Sequence, residues 1–385
     1  MRVILLTGKG GVGKTSHAIA TALGAAAHRH RVFLLSADPA HSLGDALGRR
    51  VGARPVEIAE GVVAREVAVL DELDRSWSEI QRWLRELLRD ETDEVLAEEL
   101  LVFPGLEELM ALRAVREVEA TGDFDVCVVD CAPTGATLRM LRFPDALRIF
   151  MENFFDLERR GARLLRPLME RVHAAGVVPR EEFFEAIERL YCDVEDVRQI
   201  LMDGDRTTAR LVVNPARVVV EETRRSFAYL SLYGVATDAV VVNRLLPAEA
   251  AGGYLARWAE RERGELDSIE ASFPIPQFRA PLYPRELRGI EDLAGLARDV
   301  FGDRDPAEVF TYGRPIRLRK HAGRTRLEVD LPSISKEEIE VITRGSDLIV
   351  QVRNASRWIA LPASVRGRPI RRARLHEGVL EVDFE

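Results

Sequence analysis

Hydrophobic and polar positions follow two different rhythms along this 385-residue chain. Over roughly the first three hundred residues, short unbroken apolar runs are separated by longer stretches with helical spacing. RVILLT (2–7), RVFLLSAD (31–38), DVCVVDCAP (125–133), ARLVVNP (209–215) and DAVVVNRLLP (238–247) read as buried strands. An alanine-rich helix is predicted from about Ser16 to Ala27. A charged helical region follows between Leu70 and Ala120, broken at Phe103-Pro104-Gly105, and another runs from about Asp145 to Met202. Strands alternating with helices predict an α/β fold with a parallel sheet flanked by helices. Its ligands bind beyond the strands' C-terminal ends. Asp38, Asp130, Asn214 and Asn243 all fall at such ends.

Within FMENFFDLERRGARLLRPLMERV (150–172), Phe150, Phe154, Leu157, Leu164 and Leu168 lie near helical spacing with Arg and Glu between them. Such a stripe is either a core face or an exposed groove that receives another protein's apolar helix.

The segment FGDRDPAEVFTYGRPI (301–316) has the punctuation of a linker, and after it the pattern changes. RLRKHAGRTRLEVDLP, EIEVITRGSDLIVQVR and VLEVDFE are short alternating runs separated by turn residues, the mark of a small all-β sandwich. The expected organisation is an α/β domain over 1–302 with a helical subdomain at about 145–205, a linker over 303–313, and a β-sandwich over 314–385.

Charge supports that division. The net formal charge is -8. From Tyr312 to Glu385 there are 15 Lys+Arg against 10 Asp+Glu, and 40 against 53 in the remainder. The arginines of the tail are scattered without interleaved aromatic residues, so no nucleic-acid partner is expected. No run of 18 uninterrupted apolar residues suggests a membrane span. Met1 leads directly into an apolar strand, which leaves no room for a signal peptide. The three cysteines, Cys127, Cys131 and Cys192, form no CxxC pair. A cytoplasmic protein is expected.

The chemistry begins at residue 8. Gly8-Lys9-Gly10-Gly11-Val12-Gly13-Lys14-Thr15 satisfies G-x-x-x-x-G-K-[ST], with a strand before it and a helix, from about Ser16, after it. The glycines let backbone N–H groups converge on phosphate oxygens, and the helix N-terminus adds a favourable dipole. Lys14 should reach the β- and γ-phosphates of ATP, and the Thr15 hydroxyl should bind Mg²⁺. Lys9 is an additional cation at the loop's rim. On spacing alone it is either solvated or directed at a second subunit's phosphates.

GKGGVGKT resembles the deviant phosphate loop of a group of dimeric ATPases. SADPAHSLGDAL (36–47) and DCAPTGATLRML (130–141) closely resemble the two switch segments of its arsenical-pump and tail-anchored-protein-targeting members. LVVNPARVVVEETRRSFAYLSLYGVATDAVVVNRLLP (211–247) and APLYPRELRGIEDLAGL (280–296) also look like that family, and the resemblance spans residues 1 to about 300. It implies a homodimer with nucleotide at the interface and Lys9 acting on the neighbour's phosphates. Asp38 would orient the attacking water, and Asp130 would hold Mg²⁺ through water. Pro39, Pro133, Thr134 and Gly135 would move with Asp38 and Asp130 as switches. Asn243, Pro281 and Leu282 would recognise the adenine, and Ser16 would complete the loop's contacts. The alternative readings are a turn residue before Pro39 for Asp38, a helix cap for Asp130, and a turn or strand-end residue for Asn243.

The implied activity is ATP hydrolysis coupled to capture and release of hydrophobic protein segments, with transient contact at a membrane or membrane receptor. Two alternatives are an energising subunit for arsenite or antimonite efflux and a partition-type positioning ATPase. Residues 248–272 hold no cysteine, so the zinc pair of several family members is not expected, and Ala136 stands where a histidine commonly follows PTG. VDLPSISKEEIEVITRGSDLIVQV (329–352) and LHEGVLEVDFE (375–385) resemble the α-crystallin domain of small heat-shock proteins. That resemblance implies a docking or client-binding role for the sandwich.

Overall fold

The computed structural model describes residues 1–38, 42–67, 106–132, 134–135, 137–138, 141, 181–321 and 324–385. The stripe from Phe150 to Leu168, the break at 103–105, Pro39, Pro133 and Ala136 lie outside them.

Eight strands form the larger sheet: β1 (Arg2–Thr7), β2 (Val32–Ser36), β3 (Val56–Ala59), β4 (Val62–Glu66), β5 (Val126–Asp130), β6 (Thr207–Val213), β7 (Thr237–Leu245) and β8 (Gln277–Pro281). Their order is β3-β4-β2-β5-β1-β6-β7-β8. All neighbours are parallel except β3 and β4, which pair antiparallel at one edge. The described helices are α1 (Lys14–Ala27), α2 (Ser42–Leu47), α3 (Leu106–Thr121), α4 (Glu181–Met202), α5 (Arg217–Leu232), α6 (Ala256–Ser272) and α7 (Gly289–Phe301).

The continuous apolar strands follow from burial on both faces, as a parallel sheet requires. Ile4, Leu6, Val128 and Val241 face a core completed by α1 and α7. Val3, Leu5, Val129 and Val242 face the opposite core, against α3, α4 and α5. Three strands escaped the sequence reading. Each of β3, β4 and β8 breaks its apolar run with charged or polar residues, Glu57 in β3, Arg65 and Glu66 in β4, Gln277 and Arg279 in β8, because each lies at or next to a sheet edge. The charged helical stretches are α3 and α4 where they are described.

The segment after α7 is packed along the sheet. Arg210 and Asp238 are fully buried and paired at 3.2 Å, and Arg2 reaches the same carboxylate at 3.0 Å. Arg210 also donates to the Glu308 carbonyl at 3.0 Å and lies 4.4 Å from the Phe310 ring centroid. Phe310 packs on Phe278 at 4.7 Å between centroids, and Asp305 accepts from His30 at 2.7 Å. Guanidinium, carboxylate and aromatic faces thus hold residues 305–310 in place.

Beyond it, β9 (Ile316–His321), β10 (Arg324–Asp330), β14 (Ile370–His376) and β15 (Val379–Phe384) form one antiparallel sheet in the order β14-β15-β10-β9. A second sheet contains β11 (Ile339–Arg344), β12 (Asp347–Val352) and β13 (Ala355–Ala360). The β12–β13 hairpin closes through Arg353 and Asn354 alone, with Val352 paired to Ala355. The Tyr229 hydroxyl on α5 donates to Asn354 Oδ1 at 3.0 Å, and the Tyr233 hydroxyl donates to the Ser356 carbonyl at 3.4 Å. The all-β unit is therefore seated on α5.

Candidate nucleotide site

The C-terminal ends of β1, β2 and β5 meet where their ladders align: Asp130 is level with Leu6 on one side and Ser36 on the other. The loop from Gly8 to Gly13 leaves β1 here and turns directly into α1. Glycine is compulsory at two of its positions. At Gly8 a Cβ would stand 2.4 Å from the Val212 carbonyl oxygen. At Gly13 the backbone is left-handed, with φ of 101°, and a Cβ would stand 2.4 Å from Asn243 Nδ2. Over Gly10 and Gly11 a Cβ would meet nothing within 4 Å, so the loop's outer side is an open cradle.

The loop is braced from below. Asn243 Nδ2 donates to the Val12 carbonyl at 2.8 Å, while its Oδ1 accepts from the Arg244 N–H at 2.9 Å. The Nδ2 and Oδ1 of this amide are each engaged by backbone, and the side chain braces the loop. Pro281 pairs with Leu245 across β7 and β8, and the Leu282 N–H donates to the Leu245 carbonyl at 2.7 Å. The three residues assigned to adenine therefore lie on adjacent strand ends. His17, one turn into α1, is buried beside Gly13 and Asn243. Burial lowers its pKa to about 4, which keeps the imidazole neutral.

Lys14 is 6% exposed, and its ammonium donates to the Lys9 carbonyl at 3.5 Å, across the mouth of the loop. Thr15 Oγ1 donates to Asp130 Oδ2 at 2.7 Å and lies 3.0 Å from the Ser42 hydroxyl. The two residues expected to hold a cation are therefore in direct contact. Asp130 is fully buried, and its second oxygen, Oδ1, has no hydrogen-bond partner among the described residues. A buried carboxylate oxygen without a donor suits a hard divalent cation with oxygen ligands. Burial pushes the Asp130 pKa up to about 7. The charges of Asp38 and Glu66 act in the same direction, and the Thr15 hydrogen bond and Lys14 oppose them.

Asp38 follows β2 on the same rim. The second switch segment is tied to the loop, since the Thr134 N–H donates to the Gly8 carbonyl at 3.3 Å. Thr134 Oγ1 and Ser36 Oγ are buried without partners among the described residues. Gly135 is exposed beside Thr134, and Ser16 is half-buried in the first turn of α1.

Lys9 lies at the rim, where its ammonium pairs with Glu222 of α5 at 3.1 Å. Sequence reasoning missed Glu222, and also Glu66 and Ser42, which complete the acidic and hydroxyl side of the site. Ser42 lay inside the quoted SADPAHSLGDAL segment. Glu66 is an acidic strand end of the kind singled out elsewhere, on a strand too polar to be recognised. Nothing in the local sequence connects Glu222 to residue 9.

A glycine loop between a central parallel strand and a helix, with Lys14, Thr15 and Asp130 converging beneath it, defines a P-loop nucleotide-binding protein. Residues 1–302 match the family model of the anion-transporting ATPases, and residues 322–384 match that of the HSP20-like domain found in ArsA. The chain belongs to this ArsA family of ATPases. A relative from Prosthecochloris vibrioformis named "Putative arsenical pump-driving ATPase" is 35% identical, over 100% of this chain and 96% of its own. A similarly named protein of Aquifex aeolicus is 33% identical over 98% of each chain. The protein named "ATPase get3" of Pyrenophora tritici-repentis is 31% identical over 76% of this chain and 89% of its own. The ATPase activity and the HSP20-like character of the sandwich, both expected from the sequence, agree with these matches.

Proposed function

We propose that the protein is a cytoplasmic, homodimeric, Mg²⁺-dependent ATPase whose nucleotide cycle captures and releases hydrophobic segments of client proteins. The observation that carries the hydrolytic half is the Thr15–Asp130 contact beneath the glycine loop, with an unpartnered buried carboxylate oxygen beside it. Thr15 and Asp130 are the residues that hold Mg²⁺, which when bound neutralises charge on the phosphates. Lys14 binds the β- and γ-phosphates from within the loop. Asp38 accepts a hydrogen bond from the attacking water and orients it in line with the γ-phosphate. Lys9 leaves Glu222 and stabilises charge developing on the partner subunit's phosphoryl group. Pro39, Pro133, Thr134 and Gly135 transmit the change, and Asn243, Pro281 and Leu282 border the base.

The client half is favoured over metalloid transport by the state of the thiols. Cys127 and Cys131 are buried in and beside β5, where burial pushes the Cys127 thiol up to about 12 and that of Cys131 higher still. Cys192 is exposed on α4. Soft-ion capture needs converging thiolates, and two of these three are held as buried thiols. The names of the bacterial relatives favour the second reading, an energising subunit of an arsenite or antimonite pump.

Two measurements separate the readings. Photocross-linkers at positions 150, 154 and 164 should recover hydrophobic-tailed proteins in cells, more with Asp38→Asn, whose hydrolysis is blocked. Arsenite should leave turnover unchanged. Arsenite-stimulated turnover together with no recovered clients overturns the client reading.

A further inference from the structure

A second polar cavity lies beside the turn of α5 that carries Glu222, at the seam between the helices and the all-β unit. It encloses about 200 Å³ and is lined by Glu221, Arg224, Arg225, Ser272, Ser333 and Arg353, among others. Three guanidinium groups therefore face one small space, two from α5 and one from the β12–β13 hairpin.

Two of the three are fixed in place. Arg224 donates to Glu221 at 2.6 Å, to the Ser272 hydroxyl at 2.8 Å and to the Ser268 hydroxyl at 2.6 Å. Arg353 Nε donates to Glu338 Oε1 at 2.5 Å, leaving its terminal amino groups without partners among the described residues. Glu338 is itself held by the Ser335 N–H at 2.9 Å, and these bonds lower its pKa to about 2, so it is ionised throughout the physiological range. Arg225 is half-buried and has no ion-pair or hydrogen-bond partner among the described residues. Of the three lining residues from the all-β unit, Ser333, Ile334 and Arg353, the first and last hold left-handed backbone, with φ of 60° and 53°. For Arg353 that conformation belongs to the two-residue turn of the β12–β13 hairpin.

We infer that this seam is a binding site for a phosphate group, either inorganic phosphate or the phosphate of a small ester. The cavity is smaller than the roughly 300–1,000 Å³ typical of organic-ligand pockets, and its wall is mainly polar. Planar guanidinium forks match tetrahedral oxyanions by paired N–H···O bonds. Arg353 and Arg225 supply the free donors, the Ser333 hydroxyl adds another, and Arg224 adds fixed positive charge offset by Glu221. Bound phosphate bridges α5 to the hairpin and closes the seam beside the Tyr229–Asn354 hydrogen bond.

The test is phosphate binding by the full chain, followed by ³¹P line broadening and calorimetry. Lys14→Ala, which disables the glycine loop, should retain one site. Arg225→Ala/Arg353→Ala should lose that site by tenfold or more while still binding ATP, and Arg225→Lys should weaken it less. Hydrogen exchange at 330–335 and 353–356 should slow when inorganic phosphate is added to the Lys14→Ala protein. Parallel titration with glycerol phosphate separates the two sources: tighter binding identifies an ester site, weaker binding an inorganic one. Loss of all phosphate binding in Lys14→Ala, or unchanged binding in the double variant, overturns the proposal. Retained ATP binding shows that the double variant is folded, so either result is readable.

Discussion

Lys9 pairs with Glu222 of its own chain, 3.1 Å away on α5. A lysine acting on a partner subunit's phosphates has to leave that carboxylate first. Both side chains are about one-third exposed, at 34% and 31%, so the pair is worth at most about 1 kcal/mol. Glu222→Gln should accordingly raise ATPase activity at low protein concentration by no more than about fivefold. Lys9→Ala should lower it by about a hundredfold or more. Turnover measured against protein concentration, alongside light scattering, checks both. Unchanged turnover in Lys9→Ala would remove the role in trans.

Asp130 titrates near pH 7 because it is buried beside Asp38 and Glu66. A cation arriving at its free oxygen should displace the proton. Mg²⁺·ATP loading at pH 7 is expected to release about half a proton, seen as a dependence of calorimetric heat on buffer ionisation enthalpy. Asp130→Asn should abolish that dependence.

His17 titrates in the opposite sense. Its folded pKa of about 4 lies below the unfolded value of 6.5, so the unfolded chain binds more protons between those limits. Its contribution is complete above pH 6.5 and is lost as pH falls toward 4, by about 3 kcal/mol in total. Asp130, raised from 3.8 to about 7, loses stability as pH rises through much of the same window. The two slopes partly cancel in the wild type. Denaturation of His17→Leu and wild type at pH 7 and pH 4 isolates the histidine. A constant difference between them would contradict the assignment.

Arg210→Met should destabilise the protein by about 3 kcal/mol, since Asp238 stays buried with only Arg2 to balance it. The Glu308 carbonyl loses its donor in the same step, and the Phe310 ring keeps only Arg304, 4.5 Å from its centroid. Proteolysis between residues 303 and 313 should become faster than in wild type, which a limited digest would show.

The legible parts of this protein were those where neighbours in sequence are also neighbours in space. The five apolar strands announced themselves because a parallel strand covered on both faces has no room for polar side chains. The loop from Gly8 to Thr15 is a local device, and its spacing alone locates it. Asp38 and Asp130 were found through their place at strand ends. Glu66 was not, because β4 is only five residues long and ends on the adjacent charges Arg65 and Glu66, which disguise its strand. Glu222 was unreadable for a deeper reason. Its ion pair joins residues more than two hundred positions apart, and only the packing of α5 under the loop creates it. Asn243 was noticed as a polar strand end, while its grip on the Val12 carbonyl depends on how far β7 projects beyond β6.

The stretch from Asp303 to Gly313 looks like slack tether when spelled out in letters, yet it behaves as mortar. Its ring and carbonyl are bedded against Arg210 and Phe278. Anyone who severs the polypeptide at residue 302 to obtain the catalytic half therefore strips a wall bare. Faults in that fragment would report an injured surface, and they would say nothing about what the crystallin-like half contributes. An incision after residue 313 keeps the wall intact and makes the comparison fair.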